Sequence, residues 1–390
     1  MDAFERTHFL FSEESRCTIG IMAKVAHPLC FDRIKEGVYA LTKRHILLRS
    51  TIAKGSFTFK ETERLPDVLW IKNTGEDEWN SIFSLLVNQP FIDLSFPLFK
   101  VAYLSGQKKT GLILLMHHAI GDGATLFTLL QEVLTYAITG AFYCLPTSWD
   151  QTPSVERLVL QALSCQKKEE EINRLQTSAP IEMTQFIYKT LDPLSTRTFL
   201  HKIREQKLTF QSVFSAIVLK ELFKEKGVEQ MAYICPINIR KYLGLSKASL
   251  GCQITLLHLL INQKEATSIG CLSHLIHSKL KSLTNHPVAL FKNIFNFFSP
   301  SLQEEGNAFP RIGMSSVGTL QFSDCLKEIE IQSVYINGSL GPSFAFHPVV
   351  CTVDDRLHLT FCFSSSLLPV KQAELLCDKI VYAMQTICAV

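Results

Sequence analysis

The sequence has no Cys-x-x-Cys pair, although twelve cysteines are spread from Cys17 to Cys388. Zinc ribbons and redox dithiols need that spacing to bring two sulfurs to one centre, so neither chemistry is indicated. Scattered thiols of this kind suit a reducing compartment, and the expected location is cytoplasmic. A dominant charge is also lacking: 39 Lys and Arg stand against 36 Asp and Glu, a formal net charge of +3 over 390 residues. No electrostatic case for a nucleic-acid partner follows from so small an excess. The opening residues Met1-Asp2-Ala3-Phe4-Glu5-Arg6 are charged where a secretory leader carries an apolar stretch. Long hydrophobic runs are missing too. The stretches 254–261 and 288–298 are interrupted by His258, Lys292, Asn293 and Asn296 and fall short of a bilayer span. No short-period repeat is present, which removes the solenoid architectures.

What is there is a globular composition, with 47% hydrophobic and 19% charged residues. A chain of 390 residues exceeds what one hydrophobic core usually serves, so two domains are expected. Short apolar runs alternate with helical periodicity, the pattern of an α/β fold. Strands are predicted over 18–25, 51–57, 98–104, 112–116, 231–237 and 357–363. Helices are predicted over 30–42, from Ala124 to a stop at Gly140, over 191–204, and over 209–224 with Thr209 as N-cap. Between Cys144 and Pro180 the composition shifts to proline, serine and the charge run Lys167-Lys168-Glu169-Glu170-Glu171. The expected division is a first domain over 1–150, a crossover linker over 151–185 and a second domain over 186–390.

One segment carries chemistry. The apolar run Leu112–Met116 ends directly at His117-His118-Ala119-Ile120-Gly121-Asp122-Gly123. Adjacent strand residues point to opposite faces, so one histidine is expected to face a cavity while the other packs away. The glycines allow a tight turn into the helix that follows, and the positive end of that helix favours a neutral imidazole nearby. A neutral imidazole is a general base at neutral pH, suited to removing the proton of an alcohol or amine that attacks an activated acyl carbonyl. His118 is the candidate base and His117 a structural residue. Asp122 is read as capping the helix or pairing with a distant arginine. A metal site from His117, His118 and Asp122 is the rival chemistry, and it lacks a third ligand at metal-binding spacing.

The pattern His-His-x-x-x-Asp-Gly after an apolar strand resembles the signature of the condensation-domain and acyl-CoA-dependent acyltransferase superfamily. Further segments resemble the family in order: Lys43 to Arg49, Pro90-Phe91-Ile92-Asp93 with Pro97-Leu98, Leu208 to Val213, and Pro236-Ile237-Asn238-Ile239-Arg240. The resemblance implies two chloramphenicol-acetyltransferase-like α/β domains forming a pseudo-dimer with a tunnel at their interface. It implies catalysis by His118, with His117, Asp122 and Gly123 in support, and an Arg240 that pairs with Asp122 across the domains. Met314-Ser315-Ser316-Val317-Gly318 resembles a Ser-Asn-x-Gly stretch near the tunnel, which makes Ser315 the candidate for positioning substrate; Ser316 stands where asparagine is usual.

The Asp-Phe-Gly-Trp-Gly stretch of plant BAHD acyltransferases is absent. The layout is closer to alcohol acetyltransferases and to the polyketide-associated acyltransferases of mycobacterial lipid synthesis, which implies ester formation in preference to amide formation. The co-substrate is an acyl-CoA or an acyl carrier protein thioester, the acceptor a hydroxyl or amine, and no bound cofactor, metal or covalent acyl-enzyme is implied. Two other readings stand beside this one: an amide-forming condensation enzyme acting on carrier-bound substrates, and a catalytically silent binding protein that keeps the fold. A stripe of Phe291, Ile294, Phe295, Phe297 and Phe298 is read as core, with acyl-chain binding as its alternative.

Overall fold

The computed structural model describes residues 17–53, 58–72, 74–89, 91, 96–142, 183–246, 249–265, 267–285, 311–341 and 344–389. The charged run at 167–171, the expected linker up to residue 182 and the phenylalanine stripe of 291–298 lie outside them. The described residues fall into two compact α/β units. The first comprises Met1–Ile181 with Asn238–Ile254 and Leu320–Pro342, the second Glu182–Ile237 with Thr255–Thr319 and Ser343–Val390. Two stretches read from the sequence as second-domain, 238–254 and 320–342, thus pack with the first unit.

The first unit is built on a five-stranded sheet in the order β12-β1-β6-β5-β4. These strands are β1 (Thr18–Val25), β4 (Asp67–Ile71), β5 (Phe99–Ser105), β6 (Thr110–His117) and β12 (Ile331–Gly338), while β2 (Ser50–Ala53) and β3 (Thr58–Glu61) pair with each other in a two-stranded sheet. β6 lies between β1 and β5 and pairs antiparallel with both, Thr18 opposite His117 and Phe99 opposite Met116. Every residue of β6 is buried, which explains its unbroken apolar run: a central strand covered on both faces has no solvent face to mark with polar residues. Helix α2 (Trp79–Val87) covers one face, where Phe83 reaches the bare backbone of Gly20 beside Leu115. On the other face, Met116 meets the turn before helix α3 (Gly123–Thr139). The edge strand β12 pairs antiparallel with β1 over Ile19 to Val25, so the sheet is completed by residues from late in the chain.

Helix α3 packs against helix α1 (Phe31–Arg44), burying Leu126, Leu129, Leu130, Val133 and Leu134 fully. Its apolar stripe at three- and four-residue spacing is the reason for that contact. Gly140 ends it in the left-handed conformation with φ of 73°, which a glycine adopts without a Cβ clash. Glu132, fully buried on the same helix, accepts from Arg44 Nη1 at 3.0 Å and stands 3.2 Å from His45 Nε2. The charged end of α1 is therefore pinned to the helix that leaves the histidine turn.

The second unit holds a seven-stranded sheet. Its path is β7-β14-β13-β10-β8-β9, with β11 pairing β13 off that path. The strands are β7 (Thr184–Leu191), β8 (Gln230–Asn238), β9 (Ile254–Asn262), β10 (Arg311–Gly313), β11 (Ser315–Leu320), β13 (Phe344–Val353) and β14 (Arg356–Ser364). Four helices accompany it: α4 (Pro193–Glu205), α5 (Phe210–Lys226), α6 (Ile269–Thr284) and α7 (Val370–Ala389). Thr209 caps α5, its hydroxyl accepting from the Ser212 amide at 3.2 Å. The predicted helix over 191–204 begins later, at Pro193, because Leu191 belongs to β7 and Asp192 is the N-cap that accepts from the amides of Leu194 and Ser195. Among the described residues no helix is long and apolar enough to cross a membrane.

Candidate active site

The two histidines separate where the strand stops. His117 is the last residue of β6, and His118 opens a short 3₁₀ turn, His118–Ile120. The difference between them thus comes from the change of backbone conformation, and not from alternation along one strand. The His117 amide donates to Leu98 O at 3.0 Å and the His118 amide to Cys17 O at 2.8 Å, which fixes both backbones to the sheet. The His117 ring is 1% exposed and packs edge-on near Phe91. Its Nδ1 accepts from the Ala119 amide at 3.1 Å, so the imidazole caps the turn it precedes. That role requires a neutral ring, and burial, helped by the neighbouring His118, pushes its pKa down to about 3. His118 is half-buried, and burial lowers its pKa from the ordinary 6.5, opposed by the His118 and Gly121 backbone carbonyls and by the Asp122 charge. A neutral imidazole at neutral pH is the outcome.

Gly121 has a near-extended backbone, φ 179°, which any residue adopts. Glycine is needed there for space: a Cβ would fall 2.6 Å from Met116 Sδ and 2.8 Å from Thr125 Cγ2. Gly123 is the first residue of α3 and Asp122 its N-cap, accepting from the Thr125 amide at 2.9 Å.

The structure brings Asp122 and Arg240 together within the first unit. Arg240 opens a 3₁₀ turn, Arg240–Leu243, just after β8, and its two terminal nitrogens donate to Asp122 Oδ2 at 2.7 Å and Oδ1 at 3.0 Å. Asp122 is therefore both cap and ion-pair partner, and its remaining capacity is taken by the Gln253 amide at 3.0 Å. Burial works against its charge, and the Arg240 guanidinium and these donors still hold its carboxyl below the usual range. Arg240 also donates to Ser249 O at 2.8 Å, Gly251 O at 3.0 Å and Thr125 Oγ1 at 3.2 Å. Thr125 closes the web, its hydroxyl donating to Gly251 O at 2.9 Å and accepting from Gly251 N at 3.1 Å. The segment 249–253 is thereby laid along the start of α3, and Cys252 Sγ comes to 3.5 Å from His118 Nδ1.

Ser315 lies in the second unit at the start of β11, half-buried, with its Oγ 2.8 Å from His347 Nε2 on β13. The His347 ring sits where a side chain at Gly313 would go, so that glycine seats the imidazole. Ser316 is exposed, and Gly318 two residues on takes a positive φ of 87°. Sequence reasoning missed Thr125, Cys252, Gln253 and His347. Thr125 lies three residues beyond Asp122, where a cap's amide partner belongs, and that spacing was a usable signal. Cys252 and Gln253 reach their partners from an irregular segment and His347 from a paired strand, neither of which a local pattern marks.

No protein-family model matches the sequence, and no curated protein matches it. Solved structures do match. Polyketide synthase associated protein 5 from Mycobacterium tuberculosis is 14% identical over 98% of this chain and 96% of its own, with a TM-score of 0.73. The first condensation domain of the CDA synthetase is 15% identical over 100% and 95%, with a TM-score of 0.72. The epimerization domain from the third module of tyrocidine synthetase B is 12% identical over 100% and 95%, at 0.70. The chain is similar to these in fold along its whole length: a mixed α/β chain with two sheet-rich halves.

Proposed function

We propose that the protein transfers an acyl group from a thioester, acyl-CoA or acyl carrier protein, to a hydroxyl or amine, with His118 as general base. The observation that carries this reading is the contrast between the paired histidines. His117 is consumed as a buried turn cap, whereas His118 is half-buried, held neutral by burial and seated on a backbone fixed to the sheet. A base fixed in this way needs no rearrangement before it acts.

In the proposed step His118 takes the acceptor proton as the acceptor oxygen or nitrogen attacks the thioester carbonyl. The tetrahedral intermediate collapses by breaking the C–S bond, and the proton on His118 passes to the departing thiolate. No acyl group becomes attached to the protein. Asp122, fully occupied by Arg240 and backbone amides, holds the turn and takes no proton. Ser315 is proposed to position the acyl carbonyl through its hydroxyl, which His347 orients.

One of the structures of similar fold is described as a condensation domain and another as a polyketide synthase associated protein, which supports a condensation or acyl-transfer type of reaction. Ester formation is favoured over amide formation by the sequence layout. The experiment is mass spectrometry of products after incubation with a panel of acyl-CoA and acyl-carrier thioesters and hydroxyl or amine acceptors. A new ester or amide formed by the wild type and lost in His118→Ala supports the reading. Wild-type binding of thioesters, read by thermal shift, without any product across the panel would favour the silent binding protein.

A further inference from the structure

The junction between β10 and β11 is held by helix α5. Gln211, on the first turn of that helix, donates from Nε2 to Met314 O at 3.2 Å and to the Tyr233 hydroxyl at 2.9 Å. Met314 O is an acceptor only, so the nitrogen end of the carboxamide must face it. Tyr233, accepting from Gln211, is left to donate its own proton to Ser215 Oγ, and Ser215 donates in turn to Gln211 O one turn back on the helix. Ser215, Tyr233 and Met314 are buried. Burial raises the Tyr233 pKa well above its ordinary value and pushes the nearby Cys235 thiol up to about 12, so both stay protonated at neutral pH.

Met314 is thus held at both ends of its backbone: its amide donates to Ile234 O on β8 at 3.1 Å, and its carbonyl accepts from Gln211. That carbonyl lies in the same rigid peptide plane as the Ser315 amide, so it sets the backbone from which the Ser315 side chain departs. The Ser315 hydroxyl is directed from its other end by His347 Nε2 at 2.8 Å. We propose that Gln211 is a positioning residue for Ser315, fixing the 314–315 peptide so that the hydroxyl meets the acyl carbonyl at one place. The inference rests on the proposed part of Ser315 in acyl transfer. Gln211 touches no reacting atom in this role and acts only through the peptide it holds.

A carboxamide that ties a helix to a strand junction can also add stability alone, and the two roles predict different results. Gln211→Leu, Ser315→Ala and the double variant are compared with the wild type for kcat, KM and thermal midpoint, using a thioester and acceptor that the wild type converts. Gln211→Leu is expected to lower kcat about tenfold, the scale of one hydrogen bond, with KM for the thioester unchanged. In the Ser315→Ala background the same substitution is expected to leave kcat where Ser315→Ala has put it, because residues acting through one contact are not additive. The fall in thermal midpoint on losing the carboxamide is expected in both backgrounds alike.

An equal fold loss of kcat in the two backgrounds, or no loss in the wild-type background, would overturn the proposal. Should Gln211→Leu not fold, Gln211→Glu, which keeps the length of the side chain and removes the donor to Met314 O, is taken through the same cycle and decides. The parent reading fails separately. Full activity in Ser315→Ala removes the part of Ser315, and of Gln211 with it, while leaving His118 in place; full activity in His118→Ala removes the base.

Discussion

Asp122 and Arg240 form a two-pronged ion pair, with hydrogen bonds of 2.7 and 3.0 Å and side chains only 4% and 3% exposed. The pair joins the start of α3 to the turn after β8, and both chain segments depend on it for their polar partners. Removing one member leaves the other charge buried without compensation. Asp122→Ala is expected to lower the free energy of unfolding by about 3–5 kcal/mol. Chemical denaturation at neutral pH measures it, and a loss below 1 kcal/mol would show that the pair is not holding the turn.

The same carboxyl predicts a pH dependence of stability. Its folded pKa lies below the ordinary 3.8, so its contribution is fully present above that value and is lost as pH falls below it. His117 acts in a different window. Its folded value near 3 against an ordinary 6.5 means the unfolded chain takes up the proton first, so stability is complete above 6.5 and declines as pH falls toward 3. Unfolding curves at a series of pH values should show wild-type stability declining from pH 6.5 downward and His117→Gln declining less steeply between 6.5 and 4. Parallel slopes would contradict a buried neutral ring.

Catalysis should follow His118 in the same direction. Burial lowers its pKa from the ordinary 6.5, so the acid limb of the pH–rate profile is expected below that value. A limb above 6.5 would indicate that a charge near the ring outweighs burial.

Gly121→Ala tests the packing of the turn. Its backbone is already extended, so the added methyl carries no dihedral penalty, but it must displace Met116 or Thr125. A loss of about 1–3 kcal/mol in stability is expected, with a drop in kcat as the turn shifts. A Tm equal to that of the wild type would show that the strand end relaxes freely.

Much of this was legible in the sequence because it is local. The Leu112–Met116 run marked a buried central strand, the stripe Leu126, Leu129, Leu130, Val133, Leu134 marked α3, and Gly140 and Thr209 marked a stop and a start by their own backbone chemistry. β7 is not legible: Thr184–Leu191 carries a half-buried edge pattern without clean alternation, and the helical pattern that follows runs onto its last residue. β12 and the segment 238–254 join a sheet and a turn far away in the chain, a choice made by pairing partners and not by local propensity. The contacts of Cys252 and His347 have the same origin.

The role of His118 as base is read from kcat/KM of His118→Ala beside the wild type, with a thioester and acceptor that the wild type converts. A loss of about 10²–10⁴-fold at an unchanged thermal midpoint is expected. Equal kcat/KM in the two proteins would contradict it.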